Sequence, residues 1–163
     1  MNEQTSEPLV ATIGFLVTPT RVCLAPKLRK VGAGKLNGYG GKKKSNETMF
    51  ECLLREVSKE SGVTFNERDV TKIVTLDFFK EYYHVFRCSI FLIKCWEGIP
   101  KATAEMGQPE FHPRKNLPLD RMMCGDRLWV REVMRGLIIP DGGYLIYDRD
   151  QTETLFCHLP AST

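Results

Sequence analysis

Glu56 and Glu60 stand four residues apart, as do Glu47, Glu51 and Arg55. Four is a spacing at which side chains share one side of a helix. Two solvated carboxylates placed in this way repel by about a few tenths of a kcal/mol. A hard divalent cation between them reverses the sign. Mg²⁺ takes oxygen ligands, a few from protein carboxylates and carbonyls and the rest from water and substrate phosphates. The charge pattern alone leaves two readings open, a metal-binding face and an ordinary solvated one.

The segment before these acids is suited to phosphate. Five of the 13 glycines (Gly32, Gly34, Gly38, Gly40 and Gly41) fall within residues 32–41. From Pro8 through Asn46 there is no Asp or Glu but eight basic residues, Arg21, Lys27, Arg29, Lys30, Lys35, Lys42, Lys43 and Lys44. The other 15 basic residues face 20 acidic ones, so the net charge of +3 comes from this one stretch. Exposed backbone N–H groups and ammonium groups together suit a polyanion. A plain lysine-bearing surface is the competing reading, and no basic stripe continues beyond it to suggest a general nucleic-acid binder.

These groups need elements to hold them. Residues 9–17 and 21–25 read as strands around Thr18-Pro19-Thr20. Ser45 or Asn46 is expected to cap a helix running to about Ser61, with Gly62 as its left-handed stop. Phe50, Leu53, Leu54 and Val57 form its apolar stripe. Residues 72–79 and 83–94 read as two more strands, and 101–118 as a loop with one short strand. Asp126 opens a second helix in which Leu128, Trp129, Val133, Met134 and Leu137 are expected to face the core. Residues 144–148 and 153–158 form a closing hairpin. Strands flanking both helices indicate α+β or a mixed α/β sandwich.

With 163 residues and 42% hydrophobic content, the chain reads as one globular domain over residues 1–163. Residues 1–8 are expected to be flexible. No apolar run reaches the ~18 residues of a membrane helix, and MNEQTSEPLV lacks the basic start of a signal peptide. Six cysteines without a C-x-x-C pair read mostly as buried free thiols, and the expected location is the cytoplasm. The Walker and dinucleotide glycine patterns fail on spacing. The three histidines (His84, His112 and His158) form no zinc motif, and there is no G-x-S-x-G elbow.

Gly41, Glu47 and the run Arg55-Glu56-Val57-Ser58-Lys59-Glu60-Ser61-Gly62-Val63 resemble the Nudix box, GX5EX7REUXEEXGU. Eight of its nine specified positions match. The lead-in Gly32–Lys42 is similar to that of the MutT-like branch, especially its oxidised-purine nucleoside triphosphate diphosphatases. The resemblance implies an α/β/α sandwich with a central mixed sheet and Mg²⁺- or Mn²⁺-dependent hydrolysis of a nucleoside diphosphate derivative. It implies Glu56 and Glu60 as metal ligands, Glu56 also as base for the attacking water, and the carbonyl of Gly40 as a further ligand. Glu105 would be another ligand or base. Glu47 would pair with Arg55 to orient the helix, between Gly41 and Gly62. Lys27 and Lys42 would meet the distal phosphates, and Asn37 the purine.

Two departures from the family pattern stand out. Lys59 replaces a glutamate that commonly helps to hold metal. It could turn outward, lie over the phosphates in place of a cation, or reduce the domain to a binder. The chain also reads Met123-Cys124-Gly125-Asp126 where oxidised-purine members have Trp-Pro-Asp-Asp, and Val31 and Leu36 where they have aromatics. Asp126 is thus either a base-binding acid or a helix N-cap. The implied activity is cleavage of purine nucleoside triphosphates, including oxidised ones such as 8-oxo-dGTP, to monophosphate and pyrophosphate in nucleotide-pool sanitation. Hydrolysis of dinucleoside polyphosphates or capped RNA, and a catalytically weak nucleotide-binding domain, are the alternatives.

Overall fold

Burial on both faces of Leu9–Leu16 (β1), with Ala11, Ile13 and Phe15 in one core and Leu16 in the other, means that this strand needs a layer on each side. A computed structural model, which describes residues 7–162, supplies both layers. The expected flexibility of residues 1–8 falls largely outside the described residues.

The remaining strands are Arg21–Pro26 (β2), Leu36–Asn37 (β3), Tyr39–Lys42 (β4), Val70–Lys80 (β5), Tyr83–Ile93 (β6), Glu110–Pro113 (β7), Gly143–Tyr147 (β8) and Thr154–His158 (β9). Six of them form a mixed sheet in the order β4-β1-β6-β5-β8-β9. Its β1–β6 and β5–β8 pairs are parallel and the other three antiparallel. A second sheet, β3-β2-β7, was not foreseen from sequence. The turn at residues 18–20 therefore carries the chain from one sheet into the other.

The helix Met49–Ser61 (α1) packs on β1 and β4. Leu53 and Val57 are fully buried among Leu16, Tyr39, Phe91 and Ile93. Gly14 makes this approach possible, since a Cβ there would lie 2.8 Å from Leu53 Cδ1. The cap is Thr48, four residues before Cys52, and not Ser45 or Asn46. Its side chain accepts from Glu51 N at 3.1 Å and its N–H donates to Glu51 Oε2 at 2.7 Å. This reciprocal capping box satisfies two donors at once, an advantage that neither earlier residue has in the structure. Gly62 ends the helix in the left-handed region at φ 80°.

The helix Asp126–Met134 (α2) belongs to the opposite core. Trp129, Val130 and Val133 pack there with Phe15, Ile90 and Leu145. Leu128 and Leu137, expected inside, are exposed. Leu128 lies one residue, about 100°, from Trp129 around the helix. Gly136, at φ 75°, turns the chain away before Leu137. With helices on opposite faces of a mixed sheet, the architecture is the expected α/β/α sandwich. Among the described residues no helix is long and apolar enough to cross a membrane. All six cysteines are free: Cys23, Cys52 and Cys88 are buried, Cys95 is exposed, and Cys124 and Cys157 lie between these extremes.

Candidate active site

The two glycines at the centre of β4 are there because nothing larger fits. A Cβ on Gly40 would lie 1.9 Å from the carbonyl oxygen of Thr12 on β1, and one on Gly41 would lie 2.6 Å from the Glu56 carboxylate. This side-chain-free shelf lets α1 bring its acidic residues down onto the strand. Glu60 Oε2 accepts the backbone N–H of Gly40 at 3.0 Å.

Glu56 and Glu60, 6% and 7% exposed, are buried carboxylates. Burial pushes the Glu60 carboxyl up to about 7, with nearby Glu56 and Glu105 adding to the rise and the Gly40 N–H opposing it. Glu56 is placed differently, because cations flank it on both sides. One oxygen contacts the Arg55 guanidinium, and the other lies 3.1 Å from the Lys59 ammonium.

Glu105 reaches the same place from the loop before β7. Leu28 N donates to its carbonyl at 3.0 Å. The Thr103 hydroxyl donates to the Glu60 carbonyl at 3.0 Å and accepts from the backbone N–H groups of Glu105 and Met106, each at 3.3 Å. Glu105 Oε1 then lies 3.5 Å from Lys59 Nζ. Lys59 is therefore not turned outward. Its ammonium stands between Glu56 and Glu105; burial, which alone would lower its pKa, is outweighed by these two carboxylates, and the pKa is raised. Among the described residues no three acidic, histidine or cysteine side chains converge closely enough to ligate one ion unaided.

Lys27 lies within electrostatic reach of the cluster. Burial lowers its pKa, while the charges of Glu60, Asp126 and Glu105 oppose that change. Lys42 is exposed at the end of β4, and its carbonyl accepts from Arg55 at 3.1 Å. Arg55 holds Glu47 with two further bonds of 2.6 and 2.9 Å, and Lys44 N donates to the same carboxylate at 2.7 Å. The Arg55 hydrogen bonds, followed by the one from Lys44, hold the Glu47 carboxyl down at about 2.

The residues expected at the base come from β3, the segment before α2 and α2 itself. Asn37 Oδ1 accepts the Gly38 N–H at 2.8 Å. Met123 lines an open cleft of about 420 Å³ with Val31, Gly32, Lys35, Arg127 and Thr152. Asp126 is buried, and burial pushes its carboxyl up to about 7, with the charge of Lys27 opposing. Its Oδ2 and the neighbouring Trp129 Nε1 are both without a hydrogen-bond partner. The N-cap reading of Asp126 is excluded: Gly125 occupies that position, no side chain caps the helix, and Asp126 is its first residue.

Glu56, Glu60, Glu105, Lys59 and Lys27 thus share one polar cluster at Gly40 and Gly41, with Asp126 near Lys27. Thr103 was missed from sequence. Its place two residues before Glu105 was a readable signal, because a Thr hydroxyl at that spacing commonly bonds the following backbone.

No family model matches the chain. A curated relative, an oxidized purine nucleoside triphosphate hydrolase from Danio rerio, is 34% identical over 122 residues, covering 72% of this chain and 74% of the relative. A protein of the same description from Mus musculus is 28% identical over 118 residues, with the same two coverages. Among solved structures, a MutT protein from Bacillus halodurans superposes with a TM-score of 0.77 at 22% identity, over 93% of this chain and 97% of that one. The Nudix domain of Shewanella oneidensis NrtR, solved with ADP ribose, gives a TM-score of 0.65 at 14% identity, over 80% and 88%. The chain belongs to the Nudix hydrolases, in their MutT-like branch.

Proposed function

We propose that this Nudix hydrolase cleaves purine nucleoside triphosphates, oxidised ones included, to the monophosphate and pyrophosphate with the help of Mg²⁺ or Mn²⁺. The observation that carries this reading is the gathering of Glu56, Glu60 and Glu105 beside a glycine shelf and a half-buried lysine. The relatives described as oxidized purine nucleoside triphosphate hydrolases support the substrate class.

The donor set fits a hard ion. Glu60 is buried with only a backbone N–H on its carboxylate, and Gly40 leaves the strand open beside it. Glu60 and Glu56 would hold the ion with the Gly40 carbonyl, and Glu105 would join from the loop. When bound, such an ion offsets the charge that grows on the phosphate oxygens and acidifies the attacking water.

The chain's own groups do the rest. Glu56 accepts the proton of the attacking water, and Arg55 and Lys59, one on each oxygen, fix the carboxylate's direction. Lys27 and Lys42 bind the distal phosphates. Asn37, Met123 and Asp126 meet the base, with the methionine supplying apolar contact where the family pattern has a stacking ring. Removal of damaged triphosphates from the nucleotide pool is the role that follows.

The position of Lys59 favours one second reading, a nucleotide-binding domain of low turnover, because an ammonium already lies among the carboxylates. One assay separates the readings. The protein is incubated with Mg²⁺ or Mn²⁺ and a panel of normal and 8-oxo purine triphosphates, dinucleoside polyphosphates and capped RNA. Pyrophosphate released from triphosphates supports the proposal. Turnover confined to dinucleotides or caps moves the substrate class, and tight binding without turnover leaves the second reading.

A further inference from the structure

The three carboxylates of the cluster are unequally compensated. Glu56 has a guanidinium on one oxygen and the Lys59 ammonium on the other, at 3.1 Å. Glu105 meets the same ammonium at 3.5 Å. Glu60 has the Gly40 N–H on its carboxylate. A single Nζ thus bridges an acid on α1 and an acid on the loop, the position in which a bridging cation would sit. Arg55 is largely committed to Glu47. With Lys59 added, Glu56, Glu60 and Glu105 carry a formal charge of −2; a glutamate at position 59 would make it −4.

We propose that the Lys59 ammonium is a resident cation of this site, standing between Glu56 and Glu105 in place of one divalent ion. The chain therefore holds one fewer such ion than it would with glutamate at that position. A charge of −2 matches one divalent ion, whereas −4 matches two. Because Lys59 cannot dissociate, this half of the site is charged before any metal arrives. Hydrolysis then depends on free Mg²⁺ through fewer binding steps. The inference rests on the metal-dependent reading above and adds to it the number of ions and the side chain that replaces one.

The test counts ions. Free Mn²⁺ is followed by electron paramagnetic resonance during titration of the wild type, Lys59→Glu and Lys59→Gln. Each contains a purine triphosphate whose α,β bridge is a methylene group and so is not cleaved. Lys59→Glu should bind one more Mn²⁺ per chain than the wild type. Lys59→Gln, which removes the charge without adding a ligand, should keep the wild-type count and bind at least about tenfold more tightly, since a like charge has left the site. Equal counts in the wild type and Lys59→Glu, or equal affinities in the wild type and Lys59→Gln, would overturn the inference. Pyrophosphate release from ordinary triphosphate is measured in parallel. Turnover with equal counts removes only the role given to Lys59, whereas no Mn²⁺ uptake and no turnover in any variant removes the metal-dependent reading as well. If Lys59→Glu does not fold, the affinity comparison with Lys59→Gln, a change at a half-exposed side chain, decides alone.

Discussion

Gly41 and Glu56 share one volume: the carboxylate of Glu56 fills the space that a side chain at Gly41 would take, 2.6 Å from the position of its Cβ. Gly41→Ala should therefore push the carboxylate aside while leaving β4 and α1 paired. A displacement of about 1 Å at a reacting group is worth roughly 100-fold in rate. We expect kcat to fall by about that factor with a melting temperature within a few degrees of wild type. Unchanged kcat would show that Glu56 has no place in the chemistry.

Glu60→Gln keeps the shape of the side chain and removes its charge. If Glu60 holds the ion, the rate of pyrophosphate release should drop at least about 100-fold, the size of a lost electrostatic contribution. Mn²⁺ affinity should fall with it. An undiminished rate at saturating metal would take Glu60 out of the site.

The depressed pKa of Glu47 links the motif to acid stability. Its carboxyl falls from 4.5 to about 2 on folding, chiefly through the Arg55 hydrogen bonds. A lowered acid pKa adds stability above the unfolded value, and that stability is lost as the pH falls through the folded one. Glu47→Gln should thus be less stable than wild type at pH 7, and the two should converge between pH 4.5 and about 2. Parallel denaturation curves across that window would contradict the pairing.

Asp126 works in the opposite sense. Its pKa rises from 3.8 to about 7 with burial, so the folded chain binds the proton more tightly than the unfolded one. The stability that Asp126 contributes should be fully present below the unfolded value and decline toward pH 7, at a slope of up to about 1.4 kcal/mol per pH unit. Asp126→Asn should flatten that decline in chemical denaturation and should also change the preference between normal and 8-oxo purines. A variant with the wild-type slope would place the titration elsewhere.

Local signals carried much of this fold. The stripe Phe50-Leu53-Leu54-Val57 and the stop at Gly62 located α1, and the Gly41–Val63 motif located its acids. The cap was misplaced because Ser45 and Asn46 are good capping types by themselves. The Thr48–Glu51 pair that won is a two-residue device. Burial of Leu137 was overestimated because apolar type does not reveal where a short helix ends, and that of Leu128 because it lies about 100° around the helix from the buried Trp129. The position of Lys59 was illegible for a different reason. It depends on Glu105, 46 positions later in the chain, and on the turn that brings that loop against α1. The small β3-β2-β7 sheet likewise depends on long-range pairing with no local signature.

Thr103 gives that distant loop its mechanical meaning. Its hydroxyl fastens to the carbonyl of Glu60, so the acid two residues later is registered against the helix backbone and not against a surface that breathes with the rest of the loop. The stretch ahead of it is tied down as well: Lys101 N donates to the Ser61 carbonyl at 3.0 Å, and Glu97 and Thr64 exchange backbone bonds of 2.8 and 3.1 Å. An insertion between residues 97 and 103 would have to break one of these ties before it could change the separation of Glu60 and Glu105, which makes the loop a fixed strut and not an adjustable arm.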